Sequence, residues 1–127
     1  MVGQSTSPIT EVVATTTPSI EVPKTIKEKV TDYFKDDPIM IKIAWCESRF
    51  RQFEKDGSVF RGKVNPNDVG VMQVNTTYHL KKATSLELDL DTLEGNLAYA
   101  KYLFLKEGTV PWNSSGPCWK NQEIAMK

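Results

Sequence analysis

The first 23 residues hold eleven Ser, Thr or Pro and no aromatic side chain, and this limits what the chain can build more than any other feature does. Such a segment buries too little apolar surface to offset the entropy of ordering its backbone. It reads as a disordered linker over 1–23, leaving 24–120 as one domain and 121–127 as a tail. Neither a basic amino-terminal end nor an unbroken apolar run occurs before Thr25, so any export signal is expected either to have been removed or never to have been part of this chain. The remaining chain, about 100 residues, has room for a single core. Sixteen Lys and Arg balance sixteen Asp and Glu, which removes the electrostatic case for a nucleic-acid partner. Dropping the linker removes only Glu11 and Glu21, and the mild basic excess that remains suits an anionic polymer weakly. No stretch approaches the roughly 18 apolar residues of a membrane span.

The domain is expected to be mainly helical. Thr25 and Glu28 form a capping-box pattern before Ile26, Val30, Tyr33 and Phe34, which predicts a helix over 26–35. Asp37 as cap and Pro38 at the first position open a second helix with Met40, Ile43 and Ala44 on one stripe. From Gln52 to Asn75 the helical period vanishes, and Asp56-Gly57 and Asn65-Pro66-Asn67-Asp68 predict turns in a small, irregular hairpin region. Asn75 or Thr76 caps a third helix, and Asp91 or Thr92 a fourth that Gly108 ends as a left-handed cap. The alternating SLELDLD segment reads as a helix end and a loop, and VPWNSSGPCWK as an ordered loop without period. Cys46 and Cys118 lie 72 positions apart. Joined, they would close a loop worth about 4 kcal/mol on the chain-entropy view; unjoined, they are two buried thiols. With one histidine beside them they form no spaced metal-ligand set, so neither metal nor cofactor is expected.

Glu47 stands at the end of the apolar second helix with Ile43 and Ala44 one turn back. A carboxyl against apolar side chains resists ionisation and can hold a proton near neutral pH, which is what a general acid needs. The plain alternative is a surface glutamate paired with Arg51, four residues on. Glu47-Ser48-Arg49-Phe50 is followed 23 residues later by Gly70-Val71-Met72-Gln73-Val74-Asn75, and then by EGNLAYAKYL with Asn96, Tyr99 and Tyr102. In that order, over residues 38–119, these segments resemble the lysozyme-like superfamily, and specifically the bacterial lytic transglycosylases.

The resemblance implies a lysozyme-like helical domain with a small β-hairpin region beside an active-site cleft. It implies cleavage of the β-1,4 bond between N-acetylmuramic acid and N-acetylglucosamine in peptidoglycan, outside the cytosol, by a monomer. Glu47 would be the catalytic acid. Asp68, two residues before Gly70, resembles the second carboxylate of c-type lysozymes and is the candidate nucleophile or base of a hydrolytic alternative. It stands 21 positions after Glu47, a longer interval than in that family, and its other reading is a turn aspartate. Ser48, Met72, Gln73, Asn75, Tyr99, Trp112 and Asn113 would meet the substrate, Gln73 through its amide and Trp112 by stacking. Core packing is the competing role for Met72, Tyr102 and Trp119, and a solvated helix face for His79. An inactive glycan-binding module is the reading from another functional class.

Overall fold

The computed structural model describes residues 22–121. The linker expected over 1–23 and the tail over 121–127 fall outside these residues, apart from Val22, Pro23 and Asn121. The protein is mainly helical, with one small antiparallel sheet. Helix α1 spans Ile26–Tyr33 behind the complete capping box: Glu28 N donates to Thr25 Oγ1 at 3.1 Å and Thr25 N donates to Glu28 Oε1 at 2.8 Å. Helix α2, Pro38–Ser48, begins on its proline. The side chain of Asp37 makes no cap bond, contrary to the expected role, because Lys101 Nζ draws its carboxylate away at 2.6 Å.

Met40, Ile43 and Ala44 of α2 are fully buried, in one cluster with Val30, Phe34, Leu97 and Ala100. These belong to one continuous apolar core, the main source of stability in a domain of this size. Helix α2 ends abruptly, with Arg49 and Phe50 both in the left-handed region at φ 57° and 61°. The Arg49 N–H closes onto the Trp45 carbonyl at 2.8 Å, so the chain turns away directly after Glu47 and Ser48.

The sheet pairs β1, Asp68–Val69, with β2, Val74–Asn75, placing Asp68 opposite Asn75 and Val69 opposite Val74. An isolated bridge from Arg61 joins its Val69, and a separate bridge pairs Phe53 with Val59 in the irregular region expected there. Gly57, at φ 91°, makes the turn at Asp56, whose carboxylate takes the Ser58 N–H at 3.0 Å. Helix α3, Thr76–Ser85, is capped by Asn75, and α4, Leu93–Glu107, by Thr92. The SLELDLD segment ends α3 and turns before α4. Gly108 stops α4 with φ 65° and ψ −137°, a glycine conformation other than the left-handed helical one expected. The final segment is more regular than its sequence indicates: a 3-10 helix over Val110–Ser115 runs into a short α5, Gly116–Trp119. Each begins at or beside a proline, whose fixed φ suits a helical start. Cys46 and Cys118 are bonded, with Cα atoms 5.9 Å apart, tying α2 to α5. Among the described residues no helix is long and apolar enough to cross a membrane.

Candidate active site

The site is built around the loop Gly70–Gln73, and two buried amides fix that loop. Gln52 Oε1 accepts the Val71 N–H at 2.8 Å, while its Nε2 donates to the Asp91 carbonyl at 3.1 Å. Asn96 Oδ1 accepts the Met72 N–H at 2.9 Å, and its Nδ2 donates to the carbonyls of Val69 and Leu90 at 3.0 and 2.9 Å. Both side chains are fully buried, where each polar atom left unpaired would cost about 1–3 kcal/mol. Gly70 lies between them at φ 76°, and a Cβ there would meet Asn96 Nδ2 at 2.3 Å and Gln52 Oε1 at 2.8 Å. Only glycine lets the two amides close over the loop. Gln73 then takes a left-handed turn at φ 52° and folds its amide back, Nε2 donating to the Gly70 carbonyl at 2.9 Å.

Glu47 lies in the last turn of α2, half-buried, facing this loop across a groove. Burial holds its pKa above the usual glutamate value, the Asp68 charge adds to that effect, and a hydrogen bond from Ser115 opposes it. Ser115 Oγ lies 2.6 Å from Glu47 Oε2. Asp68 projects from β1 into the same groove, with Oδ1 accepting from Asn75 Nδ2 at 2.9 Å. Asn75 thus caps α3 through its own Oδ1 and orients Asp68 through its nitrogen.

The groove has two lobes, of about 310 and 550 Å³, and Glu47, Asn65, Asp68, Gln73 and Ser114 line both. The carboxyl pair therefore stands at the waist. One lobe continues past Arg51, Phe60 and Lys63, with the Arg51 guanidinium 4.2 Å from the Phe60 ring centre. The other is floored by Val74, Leu103, Pro111 and Trp112. Beyond it lies a third recess of about 340 Å³, bounded by Tyr78, His79, Tyr99 and Tyr102, which shares Tyr78, His79, Leu103 and Glu107 with its neighbour. The result is an open, elongated groove with the Glu47 and Asp68 carboxyls part-way along it.

No protein-family model, curated protein or solved structure matches this chain.

Of the predicted residues, Glu47, Asp68, Gln73, Asn75 and Trp112 converge on the groove, and Tyr99 reaches its third recess. Ser48 and Met72 do not. Ser48 is buried, donating to the Ala44 carbonyl at 3.0 Å and accepting from the Arg51 N–H, so it shapes the helix end. Met72 is fully buried core, and its carbonyl accepts from Trp112 Nε1 at 2.9 Å. That bond buries Trp112 too, leaving only part of its ring toward the groove. Asn113 is exposed and lines neither lobe. Trp119 is core, in agreement with the packing role.

Other groove residues were not visible beforehand. His79, expected on a solvated face, pairs its Nδ1 with Tyr99 Oη at 3.0 Å, and partial burial lowers its pKa. Asn65 and Ser114 line the groove without any sequence signal beyond turn chemistry. Ser115 did have one: it stands one helical turn before Cys118, so a Cys46–Cys118 bond places it beside Glu47.

Proposed function

We propose that this protein cleaves peptidoglycan glycan strands as a lysozyme-like lytic transglycosylase, with Glu47 as acid and then base. The observation that carries the reading is a half-buried carboxyl, Glu47, whose pKa burial raises, at the waist of the groove, with a second carboxyl, Asp68, lining the same groove. Breaking a glycosidic bond passes through an oxocarbenium-like state, and protonating the leaving oxygen is the step that most needs an acid. Glu47 gives its proton to the bridging oxygen as the bond to C1 breaks, and the acetamido oxygen of the same sugar bonds to C1. The sugar's own 6-hydroxyl then attacks C1, the C1–acetamido oxygen bond breaks to restore the neutral acetamido group, and the hydroxyl proton passes to Glu47. A 1,6-anhydro end forms and the acid is regenerated without water. The long channel supplies affinity through many modest contacts, so fragments of one or two sugars are expected to be poor substrates. The disulfide is compatible with action outside the reducing cytosol.

Hydrolysis is the second reading, favoured by the Asp68 carboxyl in the same groove. Mass analysis of fragments released from purified sacculi separates the two: an anhydro product is one water lighter than a hydrolytic one. We expect anhydro fragments from the native protein, and their release from Glu47→Gln slowed at least about 100-fold. If Glu47→Gln released them at the native rate, the assignment would fail; if it bound sacculi while neither protein cut them, a glycan-binding module would remain.

A further inference from the structure

The hydroxyl of Ser115 has one proton and two acceptors. Glu47 Oε2 lies 2.6 Å away and the Trp112 carbonyl oxygen 3.0 Å away. Its own oxygen meanwhile faces Trp119 Nε1, whose N–H is shared between Ser115 Oγ at 3.0 Å and the Trp112 carbonyl at 3.1 Å. An indole nitrogen can only donate, so one side of Ser115 Oγ is occupied and its proton must point to Glu47 or to Trp112. Trp119 and Trp112 are both buried, which holds this arrangement in place.

We propose that Ser115 is a positioning residue for Glu47, a hydroxyl oriented by Trp119 whose proton moves between the Trp112 carbonyl and Glu47 Oε2 as the carboxyl changes charge. This rests on the assignment of Glu47 as acid. While Glu47 is neutral, the two acceptors compete. Once Glu47 has given up its proton, its carboxylate is the stronger acceptor, and a charge-assisted bond is roughly twice as strong as a neutral one. The bond therefore strengthens as charge develops, which is the condition for accelerating the step rather than merely binding. It also engages Oε2, leaving Oε1 as the oxygen that holds and passes the proton. The other charged or titratable groups along the groove are Asp68 on β1, Arg51 and Lys63 on one side, His79, Tyr78 and Glu107 on the other, and Lys82, Lys106, Tyr99 and Tyr102 at the third recess. Asp68 acts against Ser115, raising the Glu47 pKa where the serine lowers it.

The test is an NMR titration of the 13C-labelled Glu47 carboxyl in the native protein, Ser115→Ala and Ser115→Thr, with sacculus cleavage followed across the same pH range. In Ser115→Ala the Glu47 midpoint is expected to move to higher pH, with cleavage reduced about 10- to 100-fold, the loss of one charge-assisted donor. Ser115→Thr should restore both. Trp119→Phe, which keeps a ring but loses the N–H, should move the midpoint in the same direction, and it carries the test if Ser115→Ala does not fold. An unmoved midpoint in the folded variant overturns the proposal whatever the cleavage rate. Normal midpoint shifts in a native protein that cuts no sacculi would instead overturn the glycan-cleaving reading and leave the hydrogen-bond assignment standing.

Discussion

Glu47 is held in an environment that disfavours its charge, and the sign of that effect fixes two outcomes. Its pKa is raised in the folded protein, chiefly by burial. The stability it contributes is therefore complete below its unfolded value and is lost as pH rises through the folded one. Glu47→Gln removes that loss and keeps an acceptor for Ser115. The variant is expected to be more stable than the native protein at about pH 8, by on the order of 1 kcal/mol, with the difference vanishing toward pH 4; urea midpoints at both pH values check this. The same variant should lose about 100- to 10,000-fold in cleavage. Asp68→Asn removes one cause of the raised pKa, so the alkaline limb of the pH–rate profile should move to lower pH. Under transglycosylation the rate at its optimum persists in this variant, whereas under hydrolysis it collapses. Glu47 was singled out in the sequence by Glu47-Ser48-Arg49-Phe50 followed by Gly70–Asn75, because an acid at the end of an apolar helix has a plain surface reading of its own. His79 was not, since its pairing with Tyr99 reaches across 20 residues that no local pattern links, and Ser115 was legible only through the pairing of Cys46 with Cys118.

Among elements, the Gly70–Gln73 loop bears most of the burden of placing the site, and it does so with almost no regular structure. Its order comes from Gln52 and Asn96, two amides that together hold the N–H groups of Val71 and Met72. Asn96→Ala would leave that Met72 donor and two carbonyls short of partners, and is expected to cost about 3 kcal/mol by denaturant unfolding. Gly70→Ala combines a disfavoured backbone angle with a clash against both amides, and should lose activity even under conditions where it stays folded. Helix starts were readable from sequence at Thr25, Pro38, Asn75 and Thr92, because caps act within one turn. The helical character of 110–119 was not, because two prolines and a run of small polar residues carry no apolar period, and packing on Met72 and the disulfide supplies the order.

At the scale of the molecule, the Cys46–Cys118 bond closes a loop spanning 72 positions of the sequence. Replacing both cysteines with serine is expected to lower unfolding free energy by about 4 kcal/mol, measurable as an earlier urea midpoint. The location of that bond has a second effect. Cys46 directly precedes Glu47, and Cys118 directly precedes Trp119. The same covalent link that stabilises the domain thus brings the acid and its serine partner into register. On the proposed glycan-cleaving reading, a chain with both thiols reduced is expected to cut more slowly than the oxidised one, so that forming the bond outside the reducing cytosol would switch the protein on where its substrate lies. Restored cleavage after reoxidation of a reduced, folded sample would bear this out, and equal cleavage in the two states would refute it.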